Sequence, residues 1–410
     1  MTVTTPDFAA PAPRSLCTDC GVSRMADSSA CGTACQFIKP DYPGMETQVH
    51  GRAAGNDGDE AFFGVTGTMS RAALTPARKG AQWTGLTTRL AERLLETGTV
   101  DAVLTMVADP DDRWRPRPAI ITAPADMAEA RGMRMGYAPL LALLEPARAA
   151  GHKKIAVIGI PCQIYALRAL ETKLGFDALY VIGTPCSDNT TTENFHGFLS
   201  RLTDAPDTVT YLEFRADYHV ELRFTDGTNR LIPFLKLPIS DLPSDFFPTT
   251  CRTCVDYTNR LADITVGYMA GEGDQWLIIR NARGQAMLDN LGSEVTLAKP
   301  GTRGKRASAV KGFVENTRLA AGGLPLRRMP DVMRGIMGWL MPKIGPRGLE
   351  FARARLEMKA AETVLHLRRE EPAKMKNMVP AHVWNLAAPY GLTPTAVEVS
   401  AKPKDDDHQQ

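Results

Sequence analysis

The sequence predicts an α/β fold: a largely parallel sheet core with an antiparallel hairpin insertion, a loop-rich N-terminal segment and a helical C-terminal region. Continuous apolar runs alternate with helical stretches between residues 80 and 185, which is typical of a parallel sheet covered by helices on both faces. Hydrophobic residues make up 44% of the 410 residues and charged residues 23%, as in ordinary globular proteins.

The core strands are predicted from the apolar runs, and the core helices from the stretches between them. Strands are expected at residues 100–108, 154–160 and 178–183. Helices are expected at residues 86–95, 140–149 and 162–171. The Pro-rich residues 109–118 are expected to form a loop, and residues 1–14 a loose arm.

The second half of the chain has a different pattern. Residues 208–214 and 220–224 alternate between apolar and polar side chains, and Asp226-Gly227 signals a turn, so an antiparallel hairpin is expected. Two strands follow near residues 264–268 and 276–280. The expected division is an N-terminal segment at 1–60, an α/β domain at 61–300, a helical region at 301–395 and a disordered tail at 396–410.

Charge and hydropathy exclude several classes of protein. A net charge of +2 gives no electrostatic footprint for a nucleic-acid partner. No stretch is long and apolar enough for a transmembrane segment, and the N-terminus lacks the pattern of a secretory signal. We therefore expect a cytoplasmic protein. The apolar residues 333–344 favour core packing or subunit contact, with loose membrane association as the alternative.

Eight cysteines are the strongest chemical signal. In a reducing compartment they indicate metal or cluster ligation rather than disulfides. Two pairs have the spacing Cys-x-x-Cys, which lets both thiolates of a tight turn reach one metal centre, and the first four cysteines lie within 19 residues. The two sets of four are Cys17, Cys20, Cys31 and Cys35, and Cys162, Cys186, Cys251 and Cys254.

The second set is dispersed in sequence but is expected to converge. Cys162 and Cys186 each follow a predicted strand. Because parallel strands end at the same edge of a sheet, both thiols should meet at the carboxyl edge. Two iron–sulfur clusters would use all eight cysteines. Structural zinc is the alternative, although four-cysteine zinc sites usually combine two Cys-x-x-Cys pairs; Cys162 and Cys186 are alternatively buried structural cysteines.

Six motifs occur in order between residues 80 and 269, within a similarity that runs from about residue 16 to about residue 390. They are Gly80-Ala-Gln-Trp-Thr-Gly85, residues 109–118, residues 159–168, residues 183–189, Cys251-Arg-Thr-Cys-Val-Asp-Tyr-Thr-Asn259, and residues 262–269. Together they resemble the coenzyme F420 hydrogenase/dehydrogenase β-subunit family. The nearer similarity is to its photosynthetic branch, which includes ferredoxin-dependent 3,8-divinyl chlorophyllide 8-vinyl reductases and 7-hydroxymethyl chlorophyll a reductases.

The resemblance implies FAD and two 4Fe-4S clusters as cofactors. It implies an oxidoreductase that reduces the 8-vinyl group of divinyl (proto)chlorophyllide a to ethyl in (bacterio)chlorophyll biosynthesis. Reduced ferredoxin would deliver single electrons through the clusters to the flavin, which can donate two. The implied partners are reduced ferredoxin and a chlorophyllide-type tetrapyrrole, and the implied oligomer is a homotrimer.

Three other functions stay open. A 7-hydroxymethyl chlorophyll a reductase would use the same cofactors but remove a hydroxyl group. A deazaflavin-dependent oxidoreductase subunit would need a hydrogenase or dehydrogenase partner. A zinc-stabilised interaction module would have no enzymatic activity.

One departure from the family concerns the first cysteine set. The family's N-terminal run usually has a third cysteine where this chain has Ser23. Cys31 lies nearby, and we expect it to replace the missing ligand.

The resemblance also selects candidate flavin contacts. The Gly80–Gly85 loop precedes a predicted helix, where backbone amides and the helix N-terminus favour phosphate, although a plain loop-to-helix junction would look similar. The candidates are Gly80, Gln82, Trp83, Thr84, Gly85, Thr88, Asp188, Asn189, Asn259 and Arg280.

Alternative roles accompany these assignments. Asp188, Asn189 and Asn259 have the composition of turns and caps, and Arg280 could simply be exposed. Tyr257 and Asp256 are catalytic candidates, as proton donors, by position only. Trp83, Tyr257 and Trp276 are candidates to line a pigment cleft, with core packing as the alternative.

Overall fold

The computed structural model describes residues 2–9, 16–38, 40–215, 217–267, 274–324 and 328–399. Residues 400–410 of the expected disordered tail lie outside the described residues, and so do Tyr268 and Met269 of the last motif.

The strands of the described residues form three sheets. In chain order they are β1 (Val3–Thr4), β2 (Thr68–Leu74), β3 (Ala102–Ala108), β4 (Pro116–Ile121), β5 (Lys154–Gly159), β6 (Ala178–Gly183), β7 (Val209–Phe214), β8 (His219–Phe224), β9 (Asn229–Pro233), β10 (Ile264–Gly267), β11 (Gln275–Ile279), β12 (Val295–Ala298), β13 (Thr302–Arg303) and β14 (Arg347–Gly348).

The α-helices lie between and after these strands. In chain order they are α1 (Cys31–Ala34), α2 (Tyr42–His50), α3 (Glu60–Phe63), α4 (Leu86–Glu96), α5 (Leu144–Ala149), α6 (Pro161–Leu174), α7 (Thr192–Leu202), α8 (Thr249–Arg252), α9 (Ala282–Asp289), α10 (Arg306–Ala320), α11 (Asp331–Ile344), α12 (Leu349–Glu370), α13 (Met375–Met378) and α14 (Ala381–Ala387).

The main sheet has nine strands in the order β1-β4-β3-β5-β6-β10-β11-β2-β12. Its centre is parallel, since β3, β5, β6 and β10 pair in that sense. The strands on both sides of this centre pair antiparallel. The α/β fold with a parallel sheet core is therefore confirmed.

Two expectations about the β1–β4 edge of the main sheet are wrong. Part of the predicted loop at 109–118 belongs to β4, which pairs antiparallel with β3. The expected loose arm contains β1, where Val3 and Thr4 pair with Ile121 and Ile120. Strand β1 has only two residues, too few to show an alternating pattern in the sequence. It forms a strand because it pairs with β4.

The antiparallel insertion is a three-stranded sheet of β7, β8 and β9. The Asp226-Gly227 turn joins β8 to β9, and Gly227 has a φ of 83°. Apolar side chains from β7 and β8 pack on α7 and form a small core of their own. The antiparallel insertion is confirmed, with one strand more than the hairpin.

Helices cover both faces of the main sheet. On one face, α4 and α9 pack against the strands, with Leu86, Leu90 and Leu94 buried at helical spacing. On the other face, one core combines residues of α6 with Val22 of the N-terminal segment and Val364 of α12. The helical C-terminal region is confirmed, and the proposed domain boundaries stay a prediction.

Helix α11 exposes apolar side chains and buries a charged one. Val332, Ile336 and Trp339 are 74%, 52% and 65% exposed, whereas Arg334 is buried. Lys343 continues this exposed stripe, with its Nζ 3.3 Å from the centre of the Trp339 ring. No helix in the described part of the chain is long and apolar enough to cross a membrane.

Candidate functional site

Strands β5 and β6 bring two distant cysteines to one edge of the sheet. The strands are parallel neighbours in register, with Gly159 opposite Gly183. Helix α6 begins at Pro161, so Cys162 lies in its first turn, and Cys186 follows β6 by three residues. Both thiols therefore follow strands that end side by side.

A cavity at this edge is lined by the whole second set, Cys162, Cys186, Cys251 and Cys254. These cysteines come from three separate parts of the chain: α6, the loop after β6, and the region of α8. The other lining residues are Thr18, Phe37, Tyr137, Ile160, Pro161, Ser187, Asp188 and Asn189. The structure brings the second set together, while the ligand role of each cysteine stays a prediction.

The first set also gathers in space. Cys20 is close enough to interact electrostatically with Cys17, Cys31 and Cys35. Cys31 lies within this group, as its proposed replacement of the ligand expected at Ser23 requires. Cys20 also interacts with Cys162, so the two cysteine sets are neighbours.

Burial makes several of the eight thiols poor acids. It raises the pKa of Cys20 and of Cys254 to about 12, and also raises the pKa of Cys162 and Cys186. A buried thiol loses its proton readily only when a cation replaces that proton, and a thiol that coordinates a metal is deprotonated. Binding of a metal would therefore favour the thiolate form of Cys20, Cys162, Cys186 and Cys254.

The donor set fits a four-iron cluster. Four thiolates hold such a cluster, each bound to a different iron, so the thiols must surround a shared space rather than one atom. The cavity of the second set has this arrangement. In the described residues, no three Cys, His, Asp or Glu side chains lie close enough together to hold a single metal ion.

Polar groups contact the sulfurs of the second set. The Thr18 hydroxyl donates to Cys162 Sγ at 3.6 Å. The Tyr137 hydroxyl lies 3.5 Å from Cys251 Sγ and donates to the Asn189 carbonyl at 2.8 Å. Hydrogen bonds to ligand sulfurs tune the reduction potential of a cluster. Sequence reasoning missed Tyr137, because no motif marks it.

A buried lysine also reaches this site from α12. Lys359 Nζ donates to the carbonyl of Cys251 at 2.7 Å, to Asp188 Oδ1 at 2.8 Å and to Glu362 Oε2 at 3.0 Å. Sequence reasoning missed it too. A lysine in a charged helix carries no local signal, and only the packing of α12 places it beside the cysteines.

A buried ion pair ties the cysteine-bearing elements together. Arg168 of α6 and Asp263 are both fully buried, and Arg168 Nη2 lies 2.8 Å from Asp263 Oδ1. Arg168 Nε also donates to the Leu261 carbonyl at 3.0 Å, and Asp263 Oδ2 accepts from the Val181 amide of β6 at 2.7 Å. This pair links α6, which carries Cys162, to β6 and to the segment after the last cysteine pair.

The hydroxyls of Thr84 in the Gly80–Gly85 loop and of Thr88 in α4 form hydrogen bonds within the fold. Thr84 Oγ1 donates to Gln275 Oε1 at 3.0 Å and accepts from the Leu74 amide at 3.1 Å. Thr88 Oγ1 donates to the Gly85 carbonyl at 3.1 Å. Contact of either hydroxyl with a flavin stays a prediction that requires these bonds to rearrange.

The backbone of the Gly80–Gly85 loop is a better candidate for a flavin contact than the two hydroxyls. Gly80, Trp83 and Gly85 have φ values of 80°, 50° and 85°. At Gly85 a Cβ atom would lie 2.8 Å from Arg78 Cβ, so glycine is required there. The Trp83 side chain donates to the carboxylate of Glu213 in β7. The exposed or half-buried candidates of the loop are Gly80, Gln82 and Trp83.

The amide candidates lie around the cysteine edge. Asn189 Nδ2 donates to the Gly136 carbonyl at 2.8 Å. Asn259 Nδ2 donates to the Gly159 carbonyl at 2.8 Å, while its Oδ1 is buried and has no hydrogen-bond partner in the described structure. Contact of the Asn259 side chain with a flavin stays a prediction, and the side chain of Asp188 is paired with Lys359.

Arg280 is buried rather than exposed. Its guanidinium donates to the carbonyls of Phe63, Val65 and Thr258 at 2.7, 2.8 and 2.9 Å. Burial lowers its pKa to about 10. These bonds hold three loop segments together, and its contact with a flavin phosphate stays a prediction.

The two catalytic candidates are buried beside the second set. Burial raises the pKa of Tyr257 to about 12, and the Tyr257 carbonyl accepts from the Cys186 amide at 3.0 Å. Burial also raises the pKa of Asp256, whose Oδ2 accepts from the Arg260 amide at 2.9 Å. Trp276 is 1% exposed and packs in the core, so it does not line an open cleft.

One segment joins the glycine loop to the cysteine cavity. Arg131 Nη1 donates to the Lys79 carbonyl at 3.3 Å, next to Gly80. Six residues later Tyr137 reaches Cys251. Residues 131–137 therefore contact both the predicted flavin loop and the second cysteine set.

Comparison with protein families matches two models. Residues 69–145 match the coenzyme F420 hydrogenase/dehydrogenase beta subunit N-terminal domain, and residues 152–300 match the C-terminal domain of the same subunit. Together the two matches cover more than half of the chain.

Several named proteins are similar in sequence. The chain is 35% identical to an uncharacterized protein of Nostoc sp. over 92% of this chain and 94% of that protein. It is 35% identical to the chloroplastic 7-hydroxymethyl chlorophyll a reductase of Oryza sativa subsp. japonica over 86% of this chain and 78% of that protein. It is 27% identical to the coenzyme F420 hydrogenase beta subunit of Methanococcus voltae over 48% of this chain and 70% of that protein.

A solved structure has the same fold. It is a chain of the F420-reducing [NiFe] hydrogenase complex from Methanosarcina barkeri, with a TM-score of 0.55 and 20% identity, covering 74% of this chain and 93% of that chain. The matched family models, and the relatives whose similarity covers most of this chain, indicate the same family as the sequence motifs. The chain belongs to the coenzyme F420 hydrogenase/dehydrogenase β-subunit family.

Proposed function

We propose that this protein is an iron–sulfur flavoprotein reductase with two 4Fe-4S clusters and one FAD. Reduced ferredoxin is the proposed electron donor. The observation that carries this proposal is the convergence of Cys162, Cys186, Cys251 and Cys254 on one cavity beside the first cysteine set. Clusters carry single electrons and a flavin donates two, so these groups together would supply the chemistry of a two-electron reduction.

The chain's own residues would bind and orient these groups. The two cysteine sets would each hold a cluster. Thr18 would donate a hydrogen bond to one ligand sulfur, the Tyr137 hydroxyl would contact another, and burial would exclude water from the site. The Gly80–Gly85 loop, with its positive-φ backbone at the start of α4, would receive an anionic part of the flavin.

The proposed substrate is a chlorophyllide-type tetrapyrrole. The leading reaction is reduction of the 8-vinyl group of divinyl (proto)chlorophyllide a to ethyl, which consumes two electrons and two protons. The sequence motifs of the photosynthetic branch support this reaction. Asp256 and Tyr257 remain the proposed proton donors.

A second reaction is favoured by a specific observation. The rice relative at 35% identity is named a 7-hydroxymethyl chlorophyll a reductase. That reaction converts a hydroxymethyl group to methyl, with two electrons, two protons and loss of water. Both reactions need the same cofactors, so the cofactor site alone does not separate them.

The cofactor part of the proposal is tested first. Protein purified without oxygen should contain FAD together with iron and acid-labile sulfide, with flavin bands over a broad iron–sulfur absorption. The Cys162→Ser variant should lose about half of the iron and sulfide, whereas the Ser23→Ala variant should lose none. A colourless protein that contains zinc and no sulfide would support the interaction module and refute the reductase.

The substrate part is tested with both pigments. Reduced ferredoxin and the purified protein are incubated anaerobically with divinyl chlorophyllide a or with 7-hydroxymethyl chlorophyll a, and the products are separated by chromatography. We expect the monovinyl product from the first pigment. Product from the second pigment alone would replace the leading reaction, and bleaching of oxidised coenzyme F420 with neither product would indicate a deazaflavin-dependent subunit.

A further inference from the structure

We propose that Lys359 of α12, with Glu362 one turn later, is a positioning residue that sets the charge around the second cysteine set and thereby the reduction potential of the cluster held there. This inference rests on the proposed function, because it requires a cluster at that set.

The contacts of Lys359 are specific. Its side chain is 5% exposed, and its Nζ lies 2.7 Å from the carbonyl oxygen of the ligand candidate Cys251. The same ammonium lies 2.8 Å from Asp188 Oδ1, two residues after Cys186, and 3.0 Å from Glu362 Oε2. One cation thus joins the loop after β6 to the turn of the last cysteine pair.

Further charges surround this lysine. Arg355 Nη2 lies 3.5 Å from Asp188 Oδ2, and Arg252 Nε lies 3.6 Å from Glu362 Oε1. The group therefore contains three cations, Lys359, Arg355 and Arg252, against two carboxylates. Its formal excess of positive charge lies beside four thiols that would become anionic when they bind iron.

The sign of the effect follows from electrostatics. A cluster gains one negative charge when it is reduced, and a nearby ammonium stabilises that charge, most strongly where water is excluded. Removing the positive charge should therefore make the cluster harder to reduce, and removing a neighbouring carboxylate should make it easier to reduce.

The inference also gives the C-terminal helices a role at the site. The matched family models end at residue 300, whereas Lys359, Glu362 and Arg355 lie in α12. Helix α12 shares a core with α6, which starts beside Cys162, so its position relative to the cysteines is fixed by packing.

The experiment compares two opposite changes of charge. The variants are Lys359→Met and Glu362→Gln, each prepared as the full-length holoenzyme with its iron and sulfide content measured. Redox titration followed by electron paramagnetic resonance gives the midpoint potential of each cluster. We expect a shift to more negative potential in Lys359→Met and to more positive potential in Glu362→Gln, at one cluster only, with the other cluster unchanged.

Two further variants separate charge from folding. Lys359→Arg keeps the cation and should retain a potential close to that of the wild type. Lys374→Met removes a lysine of the same region that is partly exposed and paired with Glu371, and it should leave both potentials unchanged. If Lys359→Met fails to load a cluster, the shift expected for Glu362→Gln still tests the inference.

The outcomes that refute it are distinct. Equal potentials in the wild type and both charge variants, at full iron content, would overturn the role of Lys359 and leave the proposed reductase intact. Shifts of the same sign in both variants would indicate a general structural disturbance and would also overturn it. Absence of iron and sulfide from the wild type would refute the proposed function itself.

Discussion

Replacing Arg168 with Met should lower the free energy of unfolding. It should also weaken the contacts that hold the second cysteine set in place. The guanidinium of Arg168 is fully buried and bonds to the Leu261 carbonyl, to Asp263 and to Glu171. Asp263 is also fully buried, and it holds the Val181 amide of β6. Methionine has a similar length, so the change removes the charge and its hydrogen bonds while creating little empty volume.

The magnitude follows from what the substitution leaves behind. Breaking a buried ion pair by removal of one partner costs about 3–5 kcal/mol, because the other charge stays buried. Asp263 keeps Arg283 Nε at 3.0 Å and Asn281 Nδ2 at 2.7 Å. Because these contacts still compensate the buried carboxylate, the expected loss of unfolding free energy lies near the lower end of that range, at about 3 kcal/mol.

The pH dependence should change in a defined direction. Burial raises the pKa of Asp263, but Arg168, Arg283 and the hydrogen bonds outweigh it, so the folded-state pKa lies below the usual value. The contribution of this carboxylate is present above its unfolded pKa and is lost as the pH falls through the folded pKa. Without Arg168 the folded pKa rises toward the unfolded value, so this carboxylate contributes less stability at neutral pH, and the variant should lose less of that contribution than the wild type as the pH falls.

The assay is urea denaturation followed by circular dichroism, with hydrogen exchange of the Val181 amide as a local measurement. The matched control is Arg318→Met, which removes an exposed pair with Glu315 and should cost less than about 0.5 kcal/mol. A loss below about 1 kcal/mol for Arg168→Met, with unchanged exchange at Val181, would refute the reasoning.

Three further predictions concern the rest of the molecule. Cys31→Ser should halve the iron and sulfide per chain if Cys31 is a ligand of the first set, and unchanged content would remove it from that set. Gly85→Ala forces a left-handed residue to carry a Cβ, so FAD content should fall, whereas Gly312→Ala at an open position should leave it unchanged. Trp339→Ser should weaken sedimentation with anionic vesicles if α11 contacts membranes, and Leu297→Ser, on another exposed apolar residue, should not; a wild type that never sediments would refute membrane contact.

Local sequence patterns were sufficient for the central strands. The apolar runs predicted β3, β5 and β6, since a strand buried on both faces needs a continuous apolar run. The same runs placed Cys162 and Cys186 at one edge, because the ends of neighbouring parallel strands coincide. The strands at the edge of the sheet were harder to predict from the sequence, since β1 has only two residues and β4 begins at a proline.

The surroundings of the cysteines were not predictable from local patterns. Tyr137 and Lys359 are 114 and 108 residues away from Cys251, which each contacts. Their positions depend on how the loop before α5 and helix α12 pack, and periodicity carries no information about such contacts. The burial of Arg280 was missed for the same reason, because its partners are carbonyls of two other segments, residues 63–65 and Thr258.

The position of Lys359 late in the chain has a consequence for biosynthesis. Cys254, the last cysteine, leaves the ribosome about 100 residues before Lys359 does, which at typical elongation rates is roughly 5–20 s earlier. During that interval the second set lacks the Lys359 ammonium, which in the finished chain donates to the Cys251 carbonyl. If the second set holds the proposed cluster, iron delivery to it is expected to follow synthesis of α12, and nascent chains that end before α12 should not retain iron there.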